Sequence, residues 1–215
     1  MWKLPKLFAK RERPVPLPQS AEAQDVVDDI VAYARNWVRG GYMTRADIIT
    51  EIGAMAEEEG IAPDLFDAES LVDLEIRELR AEQRHWPAVT DWDRLDAAME
   101  ALEMKSIVAR QDWTCCGNCG VAEIGAELDR FEEKGVRARG YAFFHQQDTE
   151  SAVEGSGIYF NYGHALEYDA PEKSRAIGWE VVEAMKGAGL KPQWDGDLGQ
   201  RVFVPLDWKR RWVES

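Results

Sequence analysis

Residues 141–162 read YAFFHQQDTESAVEGSGIYFNY. Apolar and aromatic residues fill both ends, Tyr141 to Phe144 and Ile158 to Tyr162, in runs of strand length. The polar middle, closed by Gly155 and Gly157, is too short for a long crossover helix, so the spacing predicts two neighbouring strands. Working outward, Ile107-Val108-Ala109 predicts an earlier strand, and residues 120–134 show a helical period that stops at Gly135. Downstream, residues 171–187 place Ile177, Val181 and Met185 on one helical face. The turn at Asp195-Gly196, followed by Arg201-Val202-Phe203-Val204, predicts a closing hairpin. The predicted order over residues 106–215 is β-α-β-β-α-β-β, a largely antiparallel sheet with two helices in an α+β layer. Asp148, Thr149 and Glu150 can also cap a short helix over residues 149–154.

Residues 21–105 read as an acidic helical part. Val26, Val27, Ile30, Val31, Ala34, Trp37 and Val38 recur at helical spacing before Gly40-Gly41. Thr44 predicts an N-cap for a helix with Ile48, Ile49, Ile52 and Met55 on its apolar face, ending near Gly60. A third helix is predicted from about Pro63 to Arg84, and Thr90 predicts the cap of a fourth carrying Leu95, Ala98, Met99 and Leu102. Residues 1–20 form a basic, proline-rich tail in which Pro14, Pro16 and Pro18 disfavour helix. Trp2, Leu4, Leu7 and Phe8 could dock that tail on an acidic surface.

The 215 residues hold 26 Lys plus Arg against 40 Asp plus Glu, a net charge of −14. That charge repels phosphate backbones and argues against a nucleic-acid partner. It favours a basic protein partner instead, with the chain as monomer or homodimer. No apolar run is long enough to span a membrane. Lys3, Lys6 and Lys10 interrupt every candidate export signal, so the expected location is cytoplasmic. The clusters Glu57-Glu58-Glu59 and Asp91, Asp93, Asp96 lack the alternating layout of a calcium loop and read as solvated helix faces.

Chemistry concentrates in two stretches. Cys115, Cys116 and Cys119 are the three cysteines of the chain, and they lie within five residues at a predicted helix start. In a reducing compartment such clustering points to metal or redox chemistry rather than stapling. Cys116 and Cys119 have the C-x-x-C spacing of zinc ligands, Cys115 offers a third thiol, and His145 or His164 a fourth ligand. The same C-x-x-C suits a dithiol redox pair, because a helix N-terminus stabilises a thiolate. Cys116, His145 and Asn161 also follow one another in the order of a nucleophilic triad, candidates for catalysis by a cysteine hydrolase. Against all three stands simple burial, since free cysteines pack as small hydrophobes.

The stretches TCCGNCG, GYAFFHQQDTE, IYFNYG, WDGDLGQRVFV and PLDWKRR resemble those of an uncharacterised bacterial domain-of-unknown-function family, number 6891. The resemblance runs from about residue 25 to the C-terminus and implies a bacterial cytosolic protein. It implies no activity and carries over no catalytic residue. The expected function is therefore that of an acidic binding protein without catalysis and with no cofactor. The alternatives are a zinc-binding protein using Cys116, Cys119 and His145, or a cysteine-dependent enzyme centred on Cys116.

Overall fold

The computed structural model describes residues 21–62, 66–165 and 170–213, with side chains from residue 24. The basic tail and its docking residues lie outside the described residues. The described chain divides into two compact units, one up to Ala81 with the C-terminal residues from Trp212, the other Glu82–Arg211.

The first unit is helical. Helix α1 (Ala21–Gly40) packs against α2 (Arg45–Glu58), and α3 (Ala68–Gln83) follows. The heptad-like stripe Val27, Ile30, Ala34 and Val38 is buried on α1, as are Ile48, Ile52 and Ala56 on α2. Thr44 caps α2 as predicted, accepting from the Asp47 N–H at 3.1 Å. Arg35 forks onto the buried Glu75 carboxylate, and Arg45 bridges Asp73 and Glu69, which ties both earlier helices to α3. Helix α3 begins later than the predicted Pro63, because the Asp67 carboxylate accepts the Ser70 N–H and so occupies the cap.

The second unit is the α+β part. It begins with α4 (Asp91–Met104), which packs on α7 (Pro171–Gly187) and on β1 (Ile107–Arg110). Helix α4 therefore groups with the sheet rather than with the three helices before it. Thr90 and Asp93 cap it reciprocally, and Asp93 also receives Arg211. Asp91 pairs with Arg94 and Asp96 accepts from Gln111, so these acids are occupied by neighbouring donors.

The sheet has the order β1, β2 (Gly140–Phe143), β3 (Ile158–His164), β4 (Val202–Val204). The β1–β2 pair is parallel and the other two pairs are antiparallel. Helix α5 (Gly117–Glu132) makes the crossover from β1 to β2. Alternation along β2 sends Tyr141 and Phe143 toward α5, and Gly140 and Ala142 to the other face, where Ile177 of α7 packs. Two details depart from the predicted order. A short helix, α6 (Gln146–Val153), joins β2 to β3, starting three residues before the predicted 149–154 because His145 and Asp148 form its capping box. The closing hairpin shrinks to one bridge, Gln193 to Phe203, because Asp195, Asp197 and Gly199 fold into side-chain-bonded turns. Among the described residues, no helix is long and apolar enough to cross a membrane.

Candidate functional site

The chain leaves β1 into a loop that holds two non-glycine residues in the left-handed region, Asp112 at φ 52° and Thr114 at φ 59°. A β-branched residue there is costly, on the order of 1–3 kcal/mol. The compensation comes from residues 144–149. The Trp113 N–H donates to the Phe144 carbonyl at 2.8 Å, and the Gln146 N–H to the Thr114 carbonyl at 3.1 Å. The Thr149 hydroxyl donates to Asp112 Oδ1 at 2.6 Å, and the Thr114 hydroxyl to the Cys116 carbonyl at 3.1 Å. Burial raises the Asp112 carboxyl above its ordinary value, against the pull of Thr149. The second unusual stretch of sequence thus clamps the loop that carries the cysteines.

Cys116 is the N-cap residue of α5 and Cys119 lies in its first turn. The helix can lie close to β2 because residue 120 is glycine. A Cβ there would stand 2.6 Å from Cζ of Phe143, a ring with no exposure. Seated this way, the thiols of Cys115, Cys116 and Cys119 all lie within 4.8 Å of one another. Cys115 and Cys119 are 3.4 Å apart. All three thiols are free; Cys115 is exposed and the others are half-buried.

The three thiols do not share one acidity. The Cys119 backbone amide, followed by its thiol, pulls Cys116 below the ordinary thiol value, aided by the Cys115 thiol and the Asn118 amide and opposed by burial. The neighbouring thiols of Cys115 and Cys116 push Cys119 up to about 11. The cluster therefore gives up one proton early and its last one late.

His145 lies near the thiols but hydrogen-bonds within its own cluster. Its Nδ1 accepts the Asp148 N–H at 3.3 Å, so the neutral ring carries its proton on Nε2. That nitrogen lies 3.0 Å from Asp148 Oδ2 and 3.1 Å from Arg201 Nη1. Arg201 Nη1 donates in turn to both Asp148 oxygens, at 3.1 and 3.2 Å. Burial holds the His145 imidazole below its ordinary value, with Asp148 opposing and Arg201 reinforcing. Burial likewise raises Asp148, against Arg201 and the His145 amide. Both ring nitrogens are thus engaged with Asp148, Nδ1 by its N–H and Nε2 by its carboxylate. Among the described residues, the close group of candidate ligand atoms is the three thiols alone, without His145.

Asn161 on β3 stands beside the same helix start. A Cβ on Gly117 would meet Asn161 Oδ1 at 3.5 Å and His145 Nε2 at 3.6 Å. The fold therefore gathers Cys116, His145 and Asn161 around Gly117, but with the imidazole committed to Asp148. His164, at the end of β3, has its backbone N–H on the Ser174 hydroxyl at 3.3 Å. Nothing in the residue order places Arg201 in this cluster, since it lies 53 residues from Asp148. Nor did it mark Asp112, whose role depends on a backbone angle.

A family model described as a domain of unknown function (DUF6891) matches residues 23–212. The chain belongs to that family. No curated protein and no solved structure matches the chain. The matched span of DUF6891 contains all of the second unit and most of the first, with all three cysteines, the clamp at residues 144–149 and the Asp148–Arg201 pair. In this DUF6891 chain the three thiols are close enough together to hold a metal ion.

Proposed function

We propose that the protein binds zinc through Cys115, Cys116 and Cys119, with the fourth position of the ion open to solvent or an incoming ligand. The observation that supports this is the mutual spacing of the thiols, all within 4.8 Å. Ligands 2.3 Å from a tetrahedral ion are about 3.8 Å from one another. The 3.4 Å between Cys115 and Cys119 is near that edge, so little movement separates the metal-free cluster from a bound one. Zinc needs thiolates, and the early proton of Cys116 provides the first at modest cost. The exposure of Cys115 gives the ion a path in. We rank this above recognition of a basic partner, because net charge names no residues while the cluster names three.

Native mass spectrometry of protein purified without chelator tests the reading. The expected result is a mass gain of about 65 Da per chain, less the displaced protons, that disappears in Cys119→Ser. Full zinc content in Cys119→Ser, or no uptake of added zinc by the reduced parent, would overturn it. A second reading, dithiol redox, draws on the low-lying Cys116 thiol and its contact with Cys119. It gives a loss of about 2 Da and no metal in the same spectrum.

A further inference from the structure

A cleft of about 390 Å³ opens along β3, bounded by Val121 of α5, by the first turn of α7 and by residues 198–201. Beside Gln200, its polar lining holds Arg201, Asn161 and Ser174, donors with bonds to spare. Arg201 spends Nη1 on the two Asp148 oxygens, while its Nε and Nη2 have no partner among the described residues. The guanidinium lies over the Tyr159 ring, 4.9 Å from its centroid, which fixes the plane of the remaining fork. Asn161 Nδ2 is buried with no partner among the described residues. Ser174 Oγ accepts the His164 N–H, which leaves its own proton to give. The remaining walls are apolar or aromatic, from Tyr141, Tyr162 and Leu198. Tyr162 donates to the Gln200 carbonyl, and burial together with Asp197 pushes it up to about 12, so it stays uncharged. Asp197 itself accepts the Gly199 N–H at 2.9 Å.

We infer that this cleft binds a small organic monocarboxylate with an apolar or aromatic body, its carboxylate held by Arg201, Asn161 and Ser174. Guanidinium edges match carboxylates two bonds at a time, and an amide N–H left unpaired in a buried position recovers its lost bond when such an oxygen arrives. One cation whose other edge already faces Asp148 suits a monoanion better than a doubly charged phosphate. The volume and the mixed lining are those of small-molecule sites. The site does not depend on the thiols.

Ligand-observed NMR with the full chain tests the assignment, using 3-phenylpropionate, 3-phenylpropanol and inorganic phosphate as probes. The expected result is binding of the carboxylate only, unchanged in Cys119→Ser. Arg201→Lys keeps a cation beside Asp148 but loses the fork, and should weaken binding about tenfold or more. Asn161→Leu lies outside the Asp148 cluster and should weaken it too, so it decides the matter if Arg201→Lys does not fold. Equal binding of the alcohol would show an apolar hole without carboxylate recognition. Binding of phosphate in place of the carboxylate would reassign the charge class. Either result, or full affinity in both variants, overturns the inference.

Discussion

Two polar clusters stand at the start of α5 and of α6, and they differ in what they leave unsatisfied. Of the three thiols Cys115 is exposed and Cys116 and Cys119 are half-buried, and Cys115 and Cys119 bond only weakly to each other. The His145, Asp148 and Arg201 cluster has its imidazole and carboxylate almost wholly buried, with each bonded within the cluster. Weakly bonded soft donors at a surface are available to a ligand, whereas a closed and buried set fixes the backbone around it. Removing a member should therefore have opposite consequences in the two places. Asp148→Ala strips the cap of α6 and leaves His145 and one arginine edge without their acceptor. Wholly buried pairs cost about 3–5 kcal/mol to break. With the Arg201 side chain 38% exposed, solvent recovers part of that, so the expected loss is about 3 kcal/mol in urea unfolding. Cys119→Ser in metal-free protein should cost well under about 1 kcal/mol. A large loss in the serine variant would erase the distinction between the clusters.

The seating of α5 sharpens the comparison next. Gly120→Ala would drive a methyl group into the buried Phe143 ring, and overpacking of this kind costs about 1–3 kcal/mol. Because the same turn carries Cys119, zinc uptake should fall with stability. Gly125→Ala, on the same helix with open space at its Cβ, should leave zinc uptake unchanged and add slightly to stability. If the two alanines behaved alike in urea unfolding and zinc titration, the close approach of helix to sheet would not be what sets the thiols.

Legibility in the sequence followed the range of the interactions. Thr44 and Thr90 act within their own helix starts, and both caps were readable as such. The α+β class was readable because alternation at 141–144 and 158–162 is local. The three thiols were readable because they are close along the chain. His145 suits a fourth ligand by residue type alone, and its hydrogen-bond neighbours could not be read from sequence. Its actual partners are Asp148, three residues on, and Arg201, fifty-six residues on, and only the folded sheet brings the latter in. The left-handed angles at Asp112 and Thr114 were illegible for another reason. Neither residue is a glycine, and the bonds that stabilise them come from residues 144–149. The spare donors of the cleft were likewise invisible, since a donor is spare only relative to its folded neighbours.

The smallest expected effect is one of pH, and it separates the clusters by the side of neutrality on which they respond. His145 has its proton affinity lowered in the folded chain, by burial first and by Arg201, with Asp148 opposing. The unfolded chain protonates its histidine near pH 6.5. The folded chain takes up that proton only at lower pH, so the unfolded state binds more protons across the interval between the two values. Stability from this group is complete above about pH 6.5 and is lost as pH falls through the folded value. Asp148 shifts the other way: burial raises it, so its contribution improves as pH falls through its own raised value. The two shifts oppose each other on acidification, and a variant that removes the histidine while leaving the carboxyl in place separates them. The histidine contribution by itself lowers Tm on moving from pH 7.5 to pH 5.5. His145→Asn keeps an acceptor at the cap of α6 but does not titrate, and should flatten that slope. The thiols respond on the alkaline side, where alkylation should reach Cys116 first and Cys119 only toward its value of about 11. A slope that persists in His145→Asn would place the acid-sensitive group elsewhere and remove the titration of this imidazole from the account of its buried cluster.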